Sequence, residues 1–172
     1  MLAPAQRTEA TRFKQPRSVL VVICAPTAAS AGIETLLIER ADWPGFWQSV
    51  TGSSEPEETP RETALRELFE ETGFAVEPDS PRLRPLGLIN VFAIYPQFRH
   101  RYPPGTTHNV ETCFLLNWPQ AEPPRLVARE HRNFAWVPLG EAIGRVLSWS
   151  NAAALRRVAQ FYVSECGSVT HE

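Results

Sequence analysis

The chain has little of what marks the specialised protein classes. It has three cysteines in 172 residues, Cys24, Cys113 and Cys166. They lie far apart, without the paired spacing of a zinc site, which argues against a disulfide framework or a structural metal knot. Cys24 and Cys113 sit in apolar runs and are expected in the core. No run approaches the roughly 18 apolar residues that span a bilayer, and the N-terminus has no apolar stretch of secretory type. Charge of one sign is also scarce. A net charge of -2, with acids and bases spread along the chain, makes no field that would gather nucleic acid or an anionic membrane. A reduced, cytoplasmic protein is expected, with no nucleic-acid, membrane or protein partner.

What is present fits one globular domain: 172 residues with a 43% apolar share. Residues 1–13 lack periodicity and read as a loose tail, with the domain at 14–165 and a short tail at 166–172. "SVLVVICA" (18–25), "IETLLIER" (33–40), "WQSVTG" (47–52), "LGLINVFAIY" (86–95), "ETCFLLNW" (111–118) and "NFAWVP" (133–138) read as strands. The proline- and arginine-rich stretch 96–109 reads as a loop, and helices are expected over 139–147 and 151–165. Strands, helix, strands, helices in that order favour an α/β layered domain with a mixed sheet.

The densest chemistry lies in "RELFEETG", residues 66–73, which crowds Glu67, Glu70 and Glu71 beside one arginine. Thr59 as N-cap, Pro60 at the first helical position, Glu62 completing a capping box and Gly73 as the stop predict a helix between them. Ala64, Leu65, Leu68 and Phe69 then fall on one side and the three glutamates on the other. Exposed like-charge pairs at this spacing cost about 0.2–0.5 kcal/mol each. A protein can absorb that as a solvated acidic face, so the glutamates alone decide nothing.

The wider pattern decides more. Residues 52–74 run Gly52, five residues, Glu58, seven residues, then Arg66, Glu67, Leu68, a free position, Glu70, Glu71, a free position, Gly73 and an apolar Phe74. This resembles the complete Nudix box. The resemblance implies a Nudix-type α/β/α sandwich and a small-molecule triphosphate as substrate. It makes Glu67 and Glu71 the primary ligands of Mg2+ and Glu70 a further one. Arg66 would orient a neighbouring carboxylate, and Gly52 and Glu58 would shape the loop. Hard divalent cations take oxygen ligands, and one helical face offers several at fixed positions.

Outside the box, "FKQPRSVLVVI", "FWQSVTGS", "RHRYPPGTTHNVET", "REHRNFAWV" and "SWSN" are similar to the bacterial dihydroneopterin triphosphate diphosphatase branch of that family. The branch implies Mg2+-dependent hydrolysis of 7,8-dihydroneopterin 3'-triphosphate to the monophosphate and pyrophosphate, in folate biosynthesis, with side activity on dATP. A broad nucleoside triphosphate pyrophosphohydrolase and a non-catalytic nucleotide-binding module are the alternatives, and such modules usually lose box glutamates. By the same resemblance, Lys14 and Arg40, which alone read as surface charges, would meet phosphates, and the stretch Phe92, Ala93, Ile94 and Tyr95 would set an aromatic pair beside the pterin or, as alternating strand aromatics usually do, belong to the core. Thr51 would bond the substrate or merely finish a strand. Asn151 would read the pterin edge or cap the last helix, and Arg99, His100 and Arg101 would face phosphate or form a solvated turn. Glu130, ahead of a strand and beside His131, matches the place where the branch brings a carboxylate from another element, as a metal ligand in preference to a general base.

Overall fold

The computed structural model describes residues 13–27 and 32–167, with side chains up to Val163 in the last helix; the rest of the N-terminal tail, Cys166 as a side chain and residues 168–172 lie outside the described residues. Seven strands form one mixed sheet: β1 (Arg17–Pro26), β2 (Ile33–Arg40), β3 (Trp47–Gln48), β4 (Val50–Ser53), β5 (Leu83–Ala93), β6 (His108–Asn117) and β7 (His131–Pro138). β1 pairs with β6 in parallel, and its pairings with β2 and β4 are antiparallel, as are β2 with β3 and β7 and β5 with β6. Helix α1 (Pro60–Thr72) covers one face, and α2 (Leu139–Arg145) and α3 (Trp149–Gly167) cover the other.

Strand alternation explains why both faces are covered. Leu20, Val22 and Cys24 of β1 pack with Leu139, Ala142, Leu155 and Val158 of the helix pair. Val19, Val21 and Ile23, one residue out of phase, pack with Ala64 and Leu68 of α1. β1 is therefore apolar at nearly every position, as a strand buried on both sides must be. Cys24 and Cys113 are free thiols in this core, each pushed up to about 12 by burial. The α/β/α sandwich stands as the sequence implied. Among the described residues no helix is long and apolar enough to cross a membrane.

Several boundaries differ from the sequence reading. The stretch 47–52 is two strands, not one: β3 pairs with β2, β4 pairs with β1, and the chain crosses at the fully buried Ser49. β5 begins earlier, at Leu83, and runs through Pro85 by a bulge between Pro85 and Ile89, where proline lacks a ladder donor and Gly87 takes φ +62°. It ends at Ala93, leaving Ile94 and Tyr95 outside the strand ahead of Pro96. Residues 96–101 form a 3-10 turn within the expected loop, and β6 starts at His108. Phe13, assigned by sequence to the tail, lines a cleft, and α3 runs on to Gly167.

Candidate active site

Helix α1 starts as its sequence predicts. The Thr59 hydroxyl accepts from the Glu62 backbone N–H at 3.3 Å, and the Glu62 carboxylate accepts from Thr59 N at 2.8 Å. Gly73 ends the helix in the left-handed region at φ 75°, its N–H donating to Phe69 O. The faces, however, divide differently from the simple wheel. Ala64 and Leu68 are buried, but Phe69 is 51% exposed and lies near the Arg125 guanidinium, whereas Glu71 is only 6% exposed. The helix packs beside β4, and Thr63, Glu67 and Glu71, at a spacing of four, make up the stripe that turns toward that strand.

That stripe is built around Arg66. Its Nε donates to Glu58 Oε1 at 2.7 Å and its Nη2 to Glu58 Oε2 at 3.0 Å; its Nη1 donates to Glu67 Oε1 at 2.8 Å and to Glu70 Oε2 at 3.1 Å. A further bond runs from Nη2 to Ser53 O at 2.9 Å, fixing the guanidinium to the end of β4. The crowding of like charges is thus relieved in part by the arginine inside the segment, before any metal enters. Gly52 supplies the space: a Cβ there would overlap the Cγ, Cδ and Oε1 of Glu67, so the carboxylate lies directly over strand backbone.

The carboxylates respond in opposite directions. Arg66 pulls Glu58 down to about 2, while burial pushes Glu67 up to about 7 against the same guanidinium. Glu71 is also pushed up, by burial, with His131 opposing. Its Oε2 accepts from Thr51 N at 3.2 Å, and its Oε1 lies 3.1 Å from His131 Nε2. That second contact is short but off the N–H direction, so both ring nitrogens of the buried His131 lack a hydrogen-bond partner. We read it as close approach without a well-aligned bond.

Glu130 arrives from the turn before β7, seated by Ala41 N donating to Glu130 O at 2.9 Å; its half-exposed carboxylate lies beside Arg129. The ligating atoms of Glu71, Glu130 and His131 lie within 4.8 Å of one another. Two carboxylates from separate elements, a buried imidazole with orphaned nitrogens and the desolvated Glu67 one turn away suit a divalent cation, whose charge would offset the burial that raises Glu67 and Glu71. Glu67, tied to Arg66, stands outside that tight group, and Glu70 is more than half exposed.

Arg66, the three helix glutamates, Glu130 and His131 line one cleft of about 900 Å3. Lys14, Arg40, Thr51, Gly52, Arg66, Glu67, Glu70, Glu71, Phe92 and Glu130 share its walls. Arg40 is engaged in two hydrogen bonds to Asp42, at 2.8 and 2.6 Å, and would have to exchange that partner for a phosphate. Thr51 Oγ1 accepts from Gln48 Nε2 at 3.2 Å. Ala93, Ile94 and Tyr95 line an adjoining side pocket of about 170 Å3, which shares Lys14, Phe92 and Tyr102 with the cleft. Glu58 acts through Arg66, and Gly73 serves only the helix end.

Asn151 requires a correction. It is 1% exposed, and its amide is spent on the crossover residue: Oδ1 accepts from Ser49 N at 2.8 Å and Nδ2 donates to Ser49 Oγ at 2.9 Å. It neither faces the cleft nor caps the helix, which begins earlier, at Trp149. Of Arg99, His100 and Arg101, it is Arg101 that lines the smaller of these two pockets. Sequence reasoning missed Ser18, Gln48, Asn109 and Glu111, which also line the cleft, and gave His131 no role.

The NUDIX domain model matches residues 14–160. The chain belongs to the Nudix family. It is 38% identical over 146 residues to the dihydroneopterin triphosphate diphosphatase of Haemophilus influenzae, covering 85% of this chain and 89% of that protein. Among solved structures, the Escherichia coli dihydroneopterin triphosphate pyrophosphohydrolase superposes with a TM-score of 0.72 at 36% identity, over 84% of this Nudix chain and 95% of that one. A Nudix hydrolase from Listeria monocytogenes gives the same TM-score at 26% identity, over 88% and 97% of the two chains. The chain is thus an enzyme of a family whose hydrolases use a divalent metal.

Proposed function

We propose that this enzyme hydrolyses 7,8-dihydroneopterin 3'-triphosphate to the monophosphate and pyrophosphate with Mg2+. The observation that carries the reading is a cleft holding an acidic helix at one end and an aromatic wall at the other, in a chain similar over most of its length to proteins named for that activity. Glu67, Glu71 and Glu130 would hold the Mg2+, with Glu70 as a further ligand. When bound, it supplies neutralisation of phosphoryl charge and activation of water.

The chain's own residues do the rest. Arg66 holds Glu67 over Gly52 and fixes its direction. Thr51 N holds Glu71, so two carboxylates one turn apart keep a set spacing. Lys14 and Arg40 supply cations to phosphates that the acids would repel. Phe92 flanks the ring, and Tyr95 does so from the side pocket.

The test is to incubate the purified protein and Mg2+ with dihydroneopterin triphosphate and, separately, with ATP, dATP and the other nucleoside triphosphates, resolving the products. Pyrophosphate released fastest from the pterin is the expected result. Faster turnover of a nucleotide would sink the substrate assignment in favour of a broad nucleotide pyrophosphohydrolase. No turnover at all would sink the reaction and leave a binding module.

A further inference from the structure

One buried acid in the cleft has no part in the chemistry above. Glu111 lies on β6, is 5% exposed and lines the cleft wall. It stands in register with Ser18 of β1, which is itself in register with Ser53 of β4, and on its other side with Asn90 of β5. It is therefore two strands from β4, roughly 10 Å at ordinary strand spacing. That distance leaves room for phosphates between it and the glutamates of α1.

Its company is neutral. Asn90 Nδ2 donates to Glu111 Oε1 at 3.1 Å, and the Ser150 hydroxyl of α3 is its other polar neighbour. No arginine or lysine pairs with it among the described residues. An ionised carboxylate has about four acceptor sites, so two stay open. Burial pushes this carboxyl up, and an acceptor-only group in such a place is compensated only when N–H donors reach it. Asn109, two residues along the same strand face, is also buried and lines the cleft, its Nδ2 held by Ser18 Oγ at 2.7 Å. Phe92, in register with Asn109, and Tyr102 add two rings to this end.

We propose that Glu111 is the specificity-determining residue of the cleft, its carboxylate receiving the paired N–H donors of an amino-pyrimidinone ring that lies against Phe92. A pterin presents a ring N–H beside an exocyclic amino group, and guanine presents the same pair. Adenine presents a ring acceptor beside its amino group, which meets an ionised carboxylate with like polarity. The inference rests on the pterin reading above for its natural substrate, although the ring edge it recognises is shared with guanine.

Glutamine at this position keeps size and offers one acceptor and one donor, the complement of adenine. We therefore compare wild type and Glu111→Gln on dihydroneopterin triphosphate, GTP, ITP and ATP under saturating Mg2+. The pterin-to-ATP ratio of kcat/KM falls about 10- to 100-fold in the variant, mainly through KM, with ATP unchanged or improved. Wild type prefers GTP over ITP, which lacks only the 2-amino group, by about tenfold, and the variant loses that preference. An equal fall on every substrate, or an unchanged ratio, overturns the proposal and makes Glu111 a packing acid. If the variant does not fold, the wild-type comparison decides alone, and parity of GTP with ITP overturns it. Wild type that hydrolyses ATP faster than the pterin overturns the proposed function. A tenfold GTP preference in that same protein still supports the role of Glu111.

Discussion

At the α1 end of the cleft, Glu58, Glu67 and Glu70 share one guanidinium and Glu71 faces an imidazole; at the β6 end, Glu111 meets an amide and a hydroxyl. All five are glutamates, and three of them, Glu67, Glu71 and Glu111, are pushed up by burial as the leading cause. The difference is what stands ready to compensate the charge. Beside α1, the helix carboxylates and one more from the β7 turn outnumber the single fixed guanidinium and prepare a place for positive charge. Beside β6, neutral donors leave open acceptor sites that suit N–H groups on an uncharged ring. Residue type is shared, and the partners assign the work.

The strongest way to break this contrast is to neutralise one end only. Glu67→Gln is expected to lower kcat by about a thousandfold or more, since it removes a charge met in the transition state. The thermal unfolding midpoint should not fall, because the side chain lies over Gly52 and outside the apolar core. Loss of the folded circular dichroism signal would show that the stripe is structural. Gly52→Ala probes the same carboxylate without changing its charge. The new Cβ displaces the Glu67 side chain, and misplacement by about 1 Å costs on the order of a hundredfold in rate. A rate within threefold of wild type would mean that Glu67 works from another position. Glu130→Gln is expected to cost about 10- to 100-fold at saturating Mg2+. Near-normal turnover would return this half-exposed acid to its surface pairing with Arg129.

How far the sequence reaches differs between the two ends in the same way. The α1 end is written in consecutive residues, because cap, glycine stop and carboxylates all belong to one helix, and helical spacing converts letters into neighbours. Even there the wheel misplaced Glu71 and Phe69, since it says which residues share a side but not where β4 lies. The β6 end is assembled from β1, β5, β6 and α3, whose residues lie 60 or more positions apart in pairs such as Asn90 with Ser150. Nothing local distinguishes Glu111 from a solvated acid at the start of a strand. Asn151 fails for the same reason: its partner, Ser49, lies 102 positions away, and strand-to-strand crossing is invisible to a scan for alternation.

The smallest expected effect is on stability, and it separates two acids held by the same guanidinium. Glu67 has its folded value raised to about 7, above an unfolded value near 4.5. Between those values the unfolded chain has released a proton that the folded chain keeps, so metal-free protein loses stability as pH rises from about 4.5 to about 7. Glu58, lowered to about 2, acts oppositely: its contribution is present above about 4.5 and is lost as pH falls toward 2. Melts in EDTA from pH 5 to 8 should therefore fall by a few degrees, roughly the shift expected of a modest change in a domain this size. Glu67→Gln should flatten that slope, whereas Glu58→Gln should leave it and lower the whole curve. Saturating Mg2+ should flatten the wild-type slope too, because a cation stabilises the ionised carboxylate that burial disfavours. A slope unchanged by Glu67→Gln would place the buried proton elsewhere, on Glu71 or Glu111. Since only Glu71 lies beside the metal-binding group, sensitivity of the remaining slope to Mg2+ would then say which of the two ends of the cleft holds it.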